Sequence, residues 1–364
     1  MSSIDSTSPE HQVSKIQVLS GRDAVRKRPG MYVGDDRDGQ GITHMVLEVI
    51  SNSLDQFLAG LATHIDVQIE TDGSCTVTDD GLGIAVREQD GKSYLELVFT
   101  ELHCGPTADG HRPHEHLGLR GIGLAPVNFL SAYCNVSTHR DGRAYRMQFR
   151  EGVKQSALVN LGESSERGTQ VRFLADASIL DCSWIDVGTI SRRLHELSWL
   201  NPGLRIRFSD QRKQVFFQPD GLLAYFQQRF PALESTLFHM QLRQEDIEVR
   251  ACAAIPKWQY DIGIKSYVNT EETTEHGVHV DGFLMGFADA LLAPKAASRA
   301  LHERLKQRIT AVIVVRLNDP SYGAPTKARL LNPRVKTIVR ALTFSAAKDF
   351  LREHPEFMRL ADAS

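Results

Sequence analysis

The sequence has no apolar run approaching the roughly 18 residues that span a bilayer, no C-x-x-C pair and no excess of one sign of charge. The first absence excludes a helical membrane span. The polar start MSSIDSTSPEHQVSK has no apolar h-region, so it does not read as a signal peptide. The five cysteines, Cys75, Cys104, Cys134, Cys182 and Cys252, are odd in number. That pattern fits reduced, buried thiols and excludes a disulfide framework or a zinc ribbon. With 42 Lys+Arg against 45 Asp+Glu the net charge is −3. Nothing global therefore marks a nucleic-acid binder, and such a role needs a local patch. Internal repeats and low-complexity segments are lacking as well. What remains is the composition of a soluble, cytoplasmic globular protein, with 41% hydrophobic and 24% charged residues over 364 positions, enough for two domains.

The Ser-, Thr- and Pro-containing residues 1–14 read as a mobile arm. From Gly41 to Gly60 apolar residues recur at Met45, Ile50, Leu54, Phe57 and Leu58, which predicts an amphipathic helix ending at glycine. THIDVQIETDG and SCTVTDDG alternate apolar and polar residues around Asp72-Gly73, a β-hairpin signal. SYLELVFTELHC predicts a helix, HCGPTADGHRPHEHLGLRGIG a long loop, and Ile122–Leu130 a further helix. A second hairpin runs through Asp141-Gly142, followed by the strand GTQVRFLAD and the helix ISRRLHELSWLNPG. After the turn Gln218-Pro219-Asp220-Gly221 a new helix starts, and we place a domain boundary there. The second half mixes strands (IEVRACAAI, AVIVVRL) with helices (VDGFLMGFADALLA and Pro333 to about Leu351).

Four elements carry chemistry. Glu48, Asn52 and Asp55, with Gln56 beside them, fall on one helical face by their spacings of four and three. Alone, they read equally as a solvated face. Asp79-Asp80-Gly81-Leu82-Gly83 puts a carboxylate at a strand end, with glycines that let backbone approach a ligand; alone, it reads equally as a turn. Gly118-Leu119-Arg120-Gly121-Ile122-Gly123 sets three glycines before a predicted helix, an anion site in which backbone N–H groups face phosphate. Gly168 and Thr169 open a strand.

In this order and spacing the four elements resemble the motifs of the GHKL ATPases, and within them the B subunits of DNA gyrase and topoisomerase IV. Ile16–Asp35, Leu197–Gly203 and Pro325-Thr326-Lys327 carry the same resemblance, which covers roughly residues 15–350. It implies an α+β fold: a Bergerat-type α/β sandwich ATPase domain over residues 16–218, then a ribosomal-S5-like transducer domain over 219–364. Residues 1–15 would be the dimer-exchange arm. It further implies ATP and Mg2+ as ligands. Glu48 matches the general base, Asn52 the Mg2+ ligand, and Asp79 the acceptor of the adenine amino group. Gly83 lies beneath the base and Thr169 completes the adenine contact; Asp55 and Ile84 belong to the same ATP site. Gly118, Leu119, Arg120, Gly121, Ile122 and Gly123 match the phosphate cradle. Lys327 matches the lysine that the second domain returns to the γ-phosphate. Implied partners are a second copy through the arm, and DNA with a gyrase A-type subunit.

The sequence departs from that family at several positions. Gln56 and Leu82 stand where Glu and Arg usually pair at the pocket rim. Thr107 and His114 replace lid lysines, His116-Leu117 replaces Ser-Gly, Pro325 replaces Gln, and Leu284 stands where an arginine facing captured DNA is expected. The histidines around Cys104 (His103, His111, His114, His116) repeat no zinc spacing and read as a loop, one that contacts phosphate only when protonated near pH 6–6.5. Arg140 matches an arginine at the pocket mouth or is an ordinary hairpin charge. The basic stretch Lys295 to Arg308 touches DNA phosphates or is a solvated helix face. With no DNA-cleavage module in the 364 residues, two readings follow. One is an ATP-gated clamp related to type II topoisomerases and unable to cut DNA alone. The other is a stand-alone paralogue using ATP for small-molecule activation or protection against a gyrase-directed compound.

Overall fold

The computed structural model describes residues 19–34, 39–102, 104, 123–180, 185–231, 237–254, 263–293, 299–324 and 326–358. Two short helices, α1 (Gly21–Lys27) and α2 (Gly30–Val33), lead into the long α3 (Gln40–Leu58). The strands β1 (His64–Ile69) and β2 (Cys75–Asp79) form the first hairpin, with Ile69 opposite Cys75. A small ribbon of β3 (Glu88–Gln89) and β4 (Lys92–Ser93) precedes α4 (Tyr94–Thr100). This helix is capped by the Ser93 hydroxyl and stops at Thr100, where Glu101 is extended (φ −118°, ψ 131°), short of the expected end at Cys104.

α5 (Leu124–Phe129) then leads to β5 (Ser131–Arg140) and β6 (Arg143–Arg150). Their turn has left-handed backbone at both Asp141 (φ 54°) and Gly142 (φ 76°), the geometry a two-residue hairpin requires. Next come β7 (Val153–Lys154), β8 (Val159–Glu163), β9 (Gly168–Ala175), α6 (Val187–Leu200), β10 (Arg205–Ser209) and β11 (Lys213–Phe217). The first sheet runs β11-β10-β1-β2-β9-β5-β6-β7, with β8 also on β6. It is antiparallel apart from β1 against β10. The helices cover one face: Cys75 and Val77 of β2, Cys134 and Val136 of β5, and Val171 and Phe173 of β9 meet Val46, Val49 and Ile50 of α3 in a single core.

The second half comprises α7 (Gly221–Arg229), β12 (Phe238–Gln244), β13 (Ile247–Ala254), β14 (Ile264–Val268), β15 (Glu271–Glu272), α8 (Val278–Leu292), α9 (Arg299–Arg308), β16 (Thr310–Arg316) and α10 (Pro333–Glu353). Its sheet runs β12-β13-β16-β14-β15. β13 and β16 are near-continuous apolar runs because both faces are covered. Ala251, Ile313 and Val315 face α8 and α10, while Cys252, Val312 and Val314 face α7 and Trp199.

α8 and α10 approach closely because α8 presents glycine at Gly282 and Gly286. A Cβ at Gly286 would lie 2.4 Å from the Arg340 carbonyl oxygen, and one at Gly282 would lie 2.6 Å from that of Lys336. Leu284, between them, is buried in this core. In place of the arginine that the family resemblance leads one to expect at this position, the chain thus has a leucine that packs inside the second domain. Gly286→Ala should destabilise the protein by about 1–3 kcal/mol, because the added methyl meets backbone, outweighing the gain of up to ~1 kcal/mol in helix propensity. Urea denaturation followed by circular dichroism measures it.

Candidate nucleotide-binding site

The site is built on strand alternation. In β2, Cys75, Val77 and Asp79 point to the helix-covered face, so the carboxylate continues an apolar row and is buried at 3% exposure. Three donors from three elements compensate it. The Ser53 hydroxyl of α3 donates to Asp79 Oδ2 at 2.9 Å, the Gly81 N–H to Oδ1 at 2.9 Å, and the Thr169 N–H of β9 to Oδ1 at 3.4 Å. Burial nonetheless pushes the carboxyl up to about 6, with the hydrogen bonds opposing. Thr169 is buried at 5% and pairs across the ladder with buried Thr138, whose hydroxyl donates to the Ile84 carbonyl at 3.2 Å.

Glycine is required where these segments converge. A Cβ at Gly83 (φ +79°) would come within 2.6 Å of Thr138 Oγ1, and one at Gly168 (φ +113°) within 1.8 Å of the Asp79 carbonyl oxygen. Gly123 stands against Glu48: its Cβ would lie 2.0 Å from Oε2. Two of the sequence motifs thus touch directly. Arg140 donates from Nη1 to the Gly83 carbonyl at 2.9 Å, so it anchors the turn that follows β2. At the rim, Gln56 Oε1 accepts from the Leu82 N–H at 3.2 Å, a neutral contact in place of the ion pair usual at these positions.

Glu48 and Asn52 are half-buried on α3, and Asp55 follows on the same face. His44, one turn before Glu48, places Nε2 3.0 Å from Glu48 Oε1. That hydrogen bond raises the imidazole's affinity for a proton, against burial and the opposing charge of Lys327. A cavity of about 280 Å3 opens beside them. It is lined by His44, Glu48 and Ser51 of α3, by Arg193 of α6, and by Glu271, Thr326 and Lys327 of the second domain. Lys327 has a left-handed backbone (φ 56°) and its N–H donates to the Ala324 carbonyl at 3.0 Å.

The structure therefore gathers Glu48 with Gly123 and Lys327, and Asp79 with Gly81 and Thr169. Gly118, Leu119, Arg120, Gly121 and Ile122 lie outside the described residues, as do Pro325, Thr107 and the lid histidines. Sequence reasoning passes over His44, Ser53 and Arg193. The four-residue spacing from Glu48 is an available signal for His44, and Ser53 and Arg193 have none. Among the described residues no group of three or more His, Cys, Asp or Glu side chains is arranged to hold a metal ion.

Residues 37–179 match the family described as histidine kinase-, DNA gyrase B- and HSP90-like ATPase, and residues 221–360 match the DNA gyrase B family. The chain is a GHKL-superfamily member resembling the ATPase and transducer regions of gyrase B. The B subunit of DNA gyrase from Borrelia hermsii is 37% identical over 349 residues, covering 90% of this chain and 54% of that one. That of Halalkalibacterium halodurans is 34% identical over 368 residues, covering 95% and 57%. The chain thus spans about half the length of these relatives. The 43K ATPase domain of Thermus thermophilus gyrase B, in complex with an aminocoumarin, superposes with a TM-score of 0.77 at 28% identity, covering 96% of this chain and 95% of that one. The topoisomerase IV ATP-binding domain of Francisella tularensis gives 0.79 at 27%, covering 94% and 95%. The α+β class read from the sequence agrees with these neighbours.

Ionising Asp79 inside the fold costs stability. With the carboxyl raised from 3.8 to about 6, the cost is absent below pH 4, grows between the two values and is complete above pH 6. Asp79→Asn, which keeps an acceptor for Gly81 and a partner for Ser53, should therefore stabilise the protein at pH 8 relative to pH 4. The expected difference is roughly 3 kcal/mol, at ~1.4 kcal/mol per unit, read from urea unfolding at the two pH values.

Proposed function

We propose that this chain binds ATP with Mg2+, hydrolyses it, and closes as a nucleotide-gated homodimer through its N-terminal arm. The observation that carries the reading is the shared cavity in which Glu48 of the first domain and Lys327 of the second line one space, beside the Gly123 backbone. In this reading Glu48 takes the proton of a water attacking the γ-phosphate, a role supported by the contact with His44 that orients its carboxylate. Lys327 supplies positive charge where the transferred phosphoryl group gains negative charge. Asp79 accepts the adenine amino group, with Gly83 and Ile84 under the base and Thr169 beside it. The cradle of residues 118–123 holds the phosphates.

The donor chemistry fits magnesium: Mg2+ is held through few protein oxygens plus phosphates and waters, and Asn52 offers an amide oxygen one turn from Glu48. Bound there, the ion would supply positive charge to offset the negative charge of the phosphates. Asp55 supports the same face of α3.

A second reading, a paralogue that uses ATP apart from DNA topology, is favoured by the arginines of α10. Arg334 pairs with Glu245 and Asp246, Arg340 with Asp289, and Arg352 with Asp349, so these cations are engaged by the chain's own carboxylates. ATPase rates with and without linear DNA and a gyrase A-type subunit separate the two: stimulation supports the clamp, indifference the paralogue.

Glu48→Ala should retain ATP binding and lose turnover by at least about 100-fold; unimpaired turnover would remove Glu48 as the base. Affinity should also follow Asp79. With its carboxyl near 6 in the empty site, the ionised fraction at pH 5 is about one tenth, which weakens ATP binding about tenfold relative to pH 7.5. Calorimetric titration at both pH values tests this. Lid histidines that bind phosphate when protonated would give the opposite sign.

A further inference from the structure

α6 belongs to both halves of the molecule. Its Ile190, Leu194 and Leu197 are buried in the first core, whereas Trp199 and Leu200 are buried with α7 and the second sheet. Trp199 stacks on Tyr225 with ring centroids 4.3 Å apart and meets Tyr267 edge-on at 5.5 Å. The carbonyl of Leu200, freed at the helix end, accepts from Arg250 Nη2 at 2.9 Å and Arg316 Nη2 at 3.0 Å, both from the second sheet. Arg316 Nη2 also donates to Asn201 Oδ1 at 2.7 Å. Cations are favoured at such carbonyls because they complete unmet hydrogen bonds and oppose the helix dipole.

Midway along α6, Arg193 crosses the seam. Its Nη2 donates to the Thr270 carbonyl at 2.8 Å and lies 3.4 Å from Glu271 Oε1; its Nη1 donates to Glu196 on the same helix. The other Glu196 oxygen accepts from the Tyr267 hydroxyl. The β14–β15 turn that receives Arg193 is itself fixed. Asn269, left-handed at φ 59°, donates to the Leu317 carbonyl at 3.2 Å and accepts from the Leu317 N–H at 3.0 Å.

Just beyond β15, the chain carries the loop of Lys327 on backbone hydrogen bonds. The Glu275 N–H donates to Ala328 at 2.9 Å, the Leu330 N–H to His276 at 3.1 Å, and the Val278 N–H to Leu330 at 3.1 Å. A continuous path of forked side chain and paired backbone thus joins α6 to Lys327. On its other side α6 packs on α3, where Leu197 and Leu54 line the cavity that also holds Glu48.

We infer that Arg193 is a positioning residue that sets the Lys327 loop against Glu48, so that turnover depends on the seam between the two domains. The inference rests on the ATPase reading of the site. Arg193 spends both terminal nitrogens on protein acceptors, so its effect passes through Lys327. Losing it leaves the base and phosphate contacts in place and misplaces the lysine.

The test uses the full chain with Arg193→Gln and Glu271→Gln, each also combined with Lys327→Ala. The Glu271 side chain is 35% exposed, so its isosteric substitution carries the test if the Arg193 variant does not fold. Arg193→Gln should lower kcat about 100-fold, as expected for a misplaced catalytic group, with a smaller loss for Glu271→Gln. ADP affinity by calorimetry should stay within about twofold, and neither substitution should lower the residual rate of Lys327→Ala by more than about twofold, since coupled residues are non-additive. Unchanged kcat in the variants, a parallel fall in ADP affinity, or losses that add fully to that of Lys327→Ala would overturn the inference. An unmodified chain that binds ATP without turnover would overturn the ATPase reading and the inference with it; normal turnover with indifferent variants overturns the inference alone.

Discussion

A carboxylate buried at 3% exposure sets the distances between the elements of the first domain. Asp79 ends an inward-facing row on β2, and an uncompensated charge there would cost several kcal/mol. Its donors come from α3, from the following turn and from β9. Each therefore has to arrive within hydrogen-bond reach of the same group, which ties a helix, a loop and a strand together at one point. The close contact of Gly168 with the Asp79 carbonyl follows, as does the crowding of Gly83 against Thr138. Even with these donors, burial leaves the carboxyl raised to about 6, so the charge is only partly compensated.

The second constraint is at the seam. The polypeptide passes from the first sheet to the second between Phe217 and Gly221, yet the mechanical joint lies earlier, in α6. One end of that helix packs under the first sheet and the other is gripped by aromatic rings and two arginines of the second domain. The two arginines meet helix carbonyls, the end at which positive charge is stabilising. A helix held in two cores couples the placement of one domain to that of the other without relying on a flexible linker.

Much of this is legible in the sequence where chemistry forces residue identity. The helix with Glu48 and Asn52 and the hairpins through Asp72-Gly73 and Asp141-Gly142 are fixed by periodicity and turn chemistry. The glycines at 83 and 168 are fixed by positive φ and contact with backbone, and Gly123 by its approach to the Glu48 side chain. The mixed α/β character and the split into two halves follow from the same patterns. What escapes has a weak local signature or none. β10 does alternate polar and apolar residues from Arg205 to Ser209, a short signal that is easily passed over, whereas β11 shows none because its outward row, with Val215 and Phe217, is exposed. Arg193 looks like any other arginine of a helix with charges every few residues, because its partners Thr270 and Glu271 are distant in sequence. The burial of Leu284 has no local signature either: Gly282 and Gly286 turn one stripe of α8 toward α10, and Leu284, on the opposite side of the helix, is buried as well.

The departures at the rim can be weighed by contact. Gln56 retains a hydrogen bond to the Leu82 N–H, so exchanging an ion pair for an amide and an aliphatic side chain leaves no stranded charge and keeps the turn in place. The turn is held a second time by Arg140 on the Gly83 carbonyl. Neither contact involves Glu48 or Lys327, which line one cavity beside the middle of α3 together with other residues of the second domain. The altered rim is therefore a change within the first domain, whereas the cavity that Glu48 and Lys327 line draws its walls from both domains. Because the two places share no residue, those at the rim can be exchanged while the walls of that cavity stay as they are.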